Sequence, residues 1–84
     1  MSYNLLYTQR ALKDIQKIDL NAKKRIGEAL LRYKEEPLKY SRKMINAAHG
    51  SYRFRIGDYR VIFDLEDENI VILRVGHRKE IYKR

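Results

Sequence analysis

Cysteine and tryptophan are absent from the 84 residues, and there are only one proline and four glycines. Without cysteine the chain has no disulfide framework, no cysteine-based zinc site and no thiol nucleophile. With so little proline and glycine there is no long flexible linker, and neither internal repeats nor low-complexity tracts occur. No apolar run approaches the ~20 residues that span a bilayer. The first residues, Met1-Ser2-Tyr3-Asn4-Leu5-Leu6-Tyr7, carry no charged leader. These absences predict one cytoplasmic domain, residues 1–84, with no membrane association. Acids are scarce too: 11 Asp+Glu stand against 19 Lys+Arg, for a net charge of +8. That surplus favours an anionic partner, nucleic acid first. At 44% hydrophobic residues the chain nevertheless lies near the ~45–50% usual for globular domains, so a packed core is expected.

Tyr3 to Tyr7 reads as a short strand. Thr8 is a good N-cap for a helix over residues 9–18, with Ala11, Leu12, Ile15 and Ile18 on its inner face. Asp19 caps a second helix reaching about residue 36, striped by Ala22, Ile26, Ala29, Leu30 and Tyr33, and Pro37 is expected to stop it. With almost no loop between them the two helices form a hairpin over residues 8–36. Residues 37–50 carry Lys39, Arg42 and Lys43 with no acid and read as a basic connection; His49 within it is assigned no role.

From Ser51 the period changes to two. Tyr52-Arg53-Phe54-Arg55-Ile56, the turn Gly57-Asp58 and Tyr59-Arg60-Val61-Ile62-Phe63 form a hairpin, and a third strand runs from Ile70 to about Val75. The fold class is therefore α+β: an N-terminal strand, a helical hairpin, then a three-stranded antiparallel meander with the helices packed on one face.

A two-residue turn at Gly57-Asp58 sets Arg55 opposite Arg60 and Arg53 opposite Ile62, all on one face. Tyr52, Phe54, Ile56, Tyr59, Val61, Phe63 and Leu65 fall on the other, which the helices cover. Continued through the next turn, the same arithmetic adds Ile70, Ile72 and Arg74 to the helix side. It adds Val71, Leu73, Val75 and His77 to the arginine side. Like charges directly opposite in a sheet cost stability. With Arg53 beside the Arg55–Arg60 pair, and His77 with Arg78 at the end of the third strand, the arrangement reads as a phosphate site built from guanidinium forks.

The hairpin Tyr52–Phe63, followed by Val75-Gly76-His77-Arg78-Lys79-Glu80-Ile81-Tyr82, resembles the RelE/ParE superfamily of toxin–antitoxin toxins, most closely its RelE branch. Arg10-Ala11-Leu12-Lys13-Asp14 resembles the start of the first family helix. The resemblance implies an mRNA interferase: an endoribonuclease that cleaves message in the decoding site of the ribosome and so inhibits translation. The ribose 2′-hydroxyl attacks the adjacent phosphate, leaving a cyclic phosphate and a free 5′-hydroxyl, with no metal and no other cofactor. Carried over by position, Arg60, Arg78 and Tyr82 are candidate catalytic residues, and His77, on the chemistry of imidazole rather than by position, is a further one. Arg53, Arg55, Lys39, Arg42 and Lys43 are the candidate RNA- and phosphate-binding residues. The implied partners are a RelB-like cognate antitoxin and the ribosome with its rRNA and mRNA.

One departure bears on mechanism. The best-described RelE pattern has lysines where this chain has Arg53 and Arg55, and arginine keeps its proton in a protein, so neither is a general base. Both suit stabilisation of a pentacoordinate phosphorane. Proton transfer then falls to Tyr82, whose other use is stacking on a splayed base, or to His77 as general acid toward the leaving 5′-oxygen. The competing reading is a ParE-like toxin that binds and inhibits DNA gyrase without catalysis. A gyrase binder has no chemical reason to keep Arg53, Arg55, Arg60, Arg78 and Tyr82 together.

Overall fold

In the computed structural model, which describes residues 2–45 and 50–82, His49 lies outside the described residues. The chain runs β1 (Asn4–Tyr7), α1 (Gln9–Gln16), α2 (Leu20–Tyr33), α3 (Pro37–Tyr40), β2 (Ser41–Lys43), β3 (Tyr52–Ile56), β4 (Tyr59–Glu66) and β5 (Asn69–His77). Both caps form as the sequence suggests. Thr8 Oγ1 accepts from the Ala11 N–H at 3.1 Å and Asp19 Oδ2 from the Ala22 N–H at 3.4 Å, each satisfying a donor that a helix start leaves open.

The second helix ends at Tyr33 instead of the expected residue 36 or so, and the reason lies in Pro37. A residue before proline is pushed out of the helical region, and Glu36 sits at φ −145°, ψ 71°. Pro37 does not merely stop a helix; it occupies the first turn of α3, where its missing N–H costs nothing. The basic connection expected over residues 37–50 is likewise corrected. Part of it is α3, and part is β2, which pairs antiparallel with β3.

The sheet has five strands in the order β1-β5-β4-β3-β2. The β3–β4–β5 meander is as read from the sequence, while β1 pairs parallel with β5, setting Leu5 against Ile70 and Tyr7 against Ile72. The helical pair is thus the crossover from one edge of the sheet to the other. Its inner residues Ala11, Ala22, Ile26 and Leu30 meet Phe54, Val61, Phe63, Ile70, Ile72 and Val75 in one core. Leu12, expected on the inner face of α1, is 48% exposed instead. At the centre of the core Phe54 stacks on Phe63 with ring centroids 4.3 Å apart, and Tyr33 tilts against Phe54 at 5.1 Å.

The register between β4 and β5 changes along its length. Phe63 faces Ile72, but Ile62 faces Arg74, so Leu73 is an extra residue, a β-bulge on β5. Beyond it every side chain moves to the other face. Val75 now faces Val61 and joins the helix-side core, His77 faces Tyr59, and Gly76 faces Arg60. The placement of Val75 and His77 on the arginine side is therefore corrected, and the cause is one inserted residue. Arg74, now opposite Ile62, binds Asp14 of α1, Nε to Oδ2 at 2.7 Å.

The arginine side is also less open than an uncovered sheet face. Ile62 and Ile81 are buried, and Gly50 lies so close that a Cβ on it would come within 2.5 Å of Ile62 Cγ2. Gly50 adopts φ +139°, a second reason for glycine there.

Because Phe54 is fully buried between sheet and helices, Phe54→Ala is expected to destabilise the fold by ~3–5 kcal/mol in urea unfolding. A loss below about 1 kcal/mol is what an exposed phenylalanine gives and contradicts the placement.

Candidate nucleic-acid interface

The exposed face of the hairpin carries two cross-strand rows of cations. In the first, Arg42 of β2 faces Arg53 of β3. In the second, Arg55 of β3 faces Arg60 of β4. Arg42 thereby enters the face through a strand the sequence did not reveal, whereas Lys43 pairs with Tyr52 and belongs to the opposite face. Lys39 lies on α3, its Nζ 3.5 Å from Glu36 Oε2. Of the three cations placed in the basic connection, the structure brings only Arg42 to the arginine rows.

Arg60 differs from the others in being buried, with 7% of its surface exposed. Its Nη1 donates to the carbonyl oxygens of Gly57 at 2.9 Å and Tyr59 at 2.8 Å. Two carbonyls fix the orientation of the guanidinium without neutralising it. Burial, and then the charges of Arg55, Arg53 and Arg78, push the Arg60 guanidinium down from its ordinary range, with Tyr82 acting in the opposite sense. The same electrostatics show that these five side chains share one neighbourhood.

The C-terminal turn closes over this face. Past the end of β5 the Arg78 N–H donates to the Asp58 carbonyl at 2.7 Å, and Arg78 Nε lies 3.7 Å from Asp58 Oδ1. The Glu80 and Ile81 N–H groups donate to the His77 carbonyl, and a Cβ placed on Gly76 would lie 3.5 Å from Ile81. Ile81 therefore lies beside the strand at Gly76, the residue opposite Arg60. Folded back in this way, the chain brings the Tyr82 hydroxyl within 3.3 Å of Arg53 Nη1, which donates to it. Arg53 Nε is buried with no hydrogen-bond partner among the described residues.

His77 is not part of the constellation. Its ring meets Tyr59 edge-on with centroids 5.7 Å apart, and its Nδ1 accepts from the Lys79 N–H at 3.1 Å. It lines a cleft of about 400 Å³ with Lys17, Ile18 and Tyr59, toward α1. Among the described residues no group of three or more His, Cys, Asp or Glu side chains stands together as a metal site, and no helix is long and apolar enough to cross a membrane. The arrangement can bind phosphates by paired guanidinium forks, and it sets one phenol, that of Tyr82, beside Arg53.

Residues 5–82 match the family model described as the ParE toxin of the type II toxin–antitoxin system, parDE. The chain belongs to the RelE/ParE superfamily of type II toxin–antitoxin toxins. Its relatives are RelE-type by name. Toxin RelG of Mycobacterium tuberculosis is 32% identical across 100% of both chains, and Toxin RelE3 of Methanocaldococcus jannaschii is 30% identical across 93% of each. A chain of the M. tuberculosis RelBE2 toxin–antitoxin complex superposes with a TM-score of 0.82 at 27% identity, covering 93% of this chain and 100% of that one. A chain of the archaeal RelE–RelB complex from Pyrococcus horikoshii gives 0.74 at 28% identity, covering 95% and 99%.

The Arg55–Arg60 opposition is a stability cost carried by the site. Replacing Arg55 by Gln is therefore expected to stabilise the free protein by about 0.2–1 kcal/mol. The gain should shrink as salt screens the pair. Unchanged or lowered stability of Arg55→Gln at low salt contradicts the repulsion.

Proposed function

We propose that this toxin is a ribosome-dependent endoribonuclease that cleaves mRNA in the decoding site. The observation that carries the reading is the convergence of Arg53, Arg55, Arg60, Arg78 and Tyr82 from two strands and the C-terminal turn. In the proposed reaction the 2′-oxygen bonds to phosphorus as the bond to the 5′-oxygen breaks. The 2′-hydroxyl proton leaves and a proton arrives on the 5′-oxygen. Arg60, already oriented by two carbonyls, and Arg78 stabilise the charge on the phosphorane, as preorganised donors do in an oxyanion hole. Arg42, Arg53 and Arg55 hold the flanking phosphates. Tyr82 is the proton-transfer group, its oxygen placed by Arg53. His77, on the other face with Tyr59, takes no part.

A RelB-like antitoxin is the proposed partner, supported by relatives solved as RelE–RelB complexes, and a ribosomal target places the protein in the cytoplasm. The second reading is the gyrase-binding toxin without catalysis, favoured by the ParE description of the matched family. Cleavage decides between them.

On programmed ribosomes at saturating toxin, Arg60→Ala and Arg78→Ala are each expected to lower single-turnover cleavage by about 10²-fold or more, with much smaller effects on binding. Tyr82→Phe, which removes only the hydroxyl, should cost ~10²-fold, and His77→Ala about twofold or less. Full cleavage by Tyr82→Phe with an inactive Tyr82→Ala reassigns the ring to stacking. No cleavage by the wild type, with gyrase inhibited, replaces the nuclease by the second reading. Ribosome affinity should also fall steeply with salt, the slope following the phosphates neutralised; a flat response removes phosphate contacts as the main binding term.

A further inference from the structure

We infer that Asp14 is a positioning residue: from α1 it holds the β5 bulge, and through the bulge it sets where Arg78 and Tyr82 stand against Arg60. The inference rests on the proposed cleavage for its kinetic consequence only.

The parallel pairing of β1 to β5 ends at Tyr7 and Ile72. The next stretch of β5 has no strand on that edge, and a bare sheet edge leaves backbone donors and acceptors open. Side chains of the following helix take the place of the missing strand. Thr8, the N-cap of α1, gives its backbone N–H to the Ile72 carbonyl at 3.1 Å and its hydroxyl to the Leu73 carbonyl at 3.2 Å. Asp14, two turns further along α1, accepts from the Val75 N–H at 3.0 Å with the same Oδ2 that holds Arg74 Nε at 2.7 Å. Arg10 approaches its other oxygen at 3.8 Å. The side chain is 12% exposed, and charge-assisted bonds of this kind are the stronger ones.

These contacts bracket Leu73, the inserted residue. Holding Val75 and Arg74 from the edge keeps the strand from relaxing to unbulged pairing. In that alternative register the residue facing Arg60 is Val75. Its side chain would enter the arginine face where Ile81 now lies against Gly76, and the turn carrying Arg78 and Tyr82 would be lifted off. Asp14 stands at the open edge of β5, bonded to Arg74 and Val75 and not to the arginines of the face, and in this inference it touches no substrate. Its effect passes through backbone placement, and a misplacement of about 1 Å at reacting groups can cost ~10²-fold in rate.

The test compares Asp14→Ala, which removes both bonds, with Asp14→Asn, which keeps a carbonyl for the Val75 N–H and gives Arg74 no charge. Each is studied at a temperature where it is folded. Binding to programmed ribosomes should stay within about twofold of wild type. Single-turnover cleavage at saturation should fall ~10-fold or more for Asp14→Ala and less for Asp14→Asn. Independently of cleavage, the nuclear Overhauser contact between Gly76 and Ile81 should weaken or vanish in Asp14→Ala. A folded Asp14→Ala protein with the wild-type rate and an intact Gly76–Ile81 contact overturns the inference, and so does a rate loss matched by an equal loss of affinity. Should Asp14→Ala not fold, Asp14→Asn decides by the same readouts: a weakened Gly76–Ile81 contact with a lowered rate supports the clamp, and neither change overturns it. Should the wild type not cut message, the proposed function fails, and the Gly76–Ile81 contact alone decides the role of Asp14.

Discussion

Phe54 against Phe63, 4.3 Å apart between sheet and helices, is the contact on which the rest depends. Around it run Tyr52 on Phe63, Tyr33 on Phe54 and Tyr40 on Tyr33, an aromatic line from the sheet centre to α3. Fully burying one such side chain contributes roughly 1.5–3 kcal/mol, and aromatic pairs add about 0.5–1.5 kcal/mol. A like-charge pair across strands costs about 1 kcal/mol at most. Concentrating apolar and aromatic burial on one face thus lets the other carry Arg42 against Arg53 and Arg55 against Arg60 without losing the fold. The unequal faces of the sheet are the physical basis of a site made almost wholly of cations.

Short-range chemistry was legible in the sequence. Thr8 and Asp19 announce helix starts because a cap needs only one side-chain oxygen and an N–H three residues on. The Gly57-Asp58 turn fixed the register of β3 against β4, and with it Arg53, Arg55 and Arg60, because side chains alternate without exception between bulges. Two features were not legible, each set by distant partners. β2 is three residues, Ser41–Lys43, with no apolar alternation of its own, and it is a strand because β3 offers an edge. The bulge at Leu73 falls inside Ile70-Val71-Ile72-Leu73-Arg74-Val75, where nothing local interrupts the alternation. The side chains that bond the strand on either side of it, Thr8 and Asp14, lie about sixty residues earlier. That one insertion is why His77 was assigned to the wrong face and why Gly76, not Val75, faces Arg60. Tyr82 was found by family resemblance, since no periodicity extends to a residue in a turn.

Arginine rather than lysine at these positions changes what the face can do. Lysine offers a strongly hydrated point charge that loses its proton readily when buried; arginine offers a planar fork that stays charged and meets phosphate oxygens two at a time. Arg60 shows the consequence. Its burial, with carbonyls and no acid as its hydrogen-bond partners, opposes the charged form, yet the group remains a cation. The carbonyls hold the fork still, so in the proposed cleavage little reorganisation would be needed as negative charge develops nearby. A carboxylate partner would stabilise the free protein and spoil the site.

The same electrostatics constrain whatever covers the face. An apolar surface laid over Arg53, Arg55 and Arg60 would strip water from cations without replacing it, and unpaired buried charge costs several kcal/mol per group. Carboxylates or phosphates set to match the forks offset that cost, because the Arg60 and Arg53 donors are oriented before anything binds. Two kinds of ligand satisfy this requirement, a nucleic-acid backbone and an acidic protein segment. Both would use the same guanidinium groups, so on the proposed function occupancy by one would exclude the other. Inhibition of a site built this way needs no change of fold. It needs only carboxylates that reach the arginine rows before phosphates do.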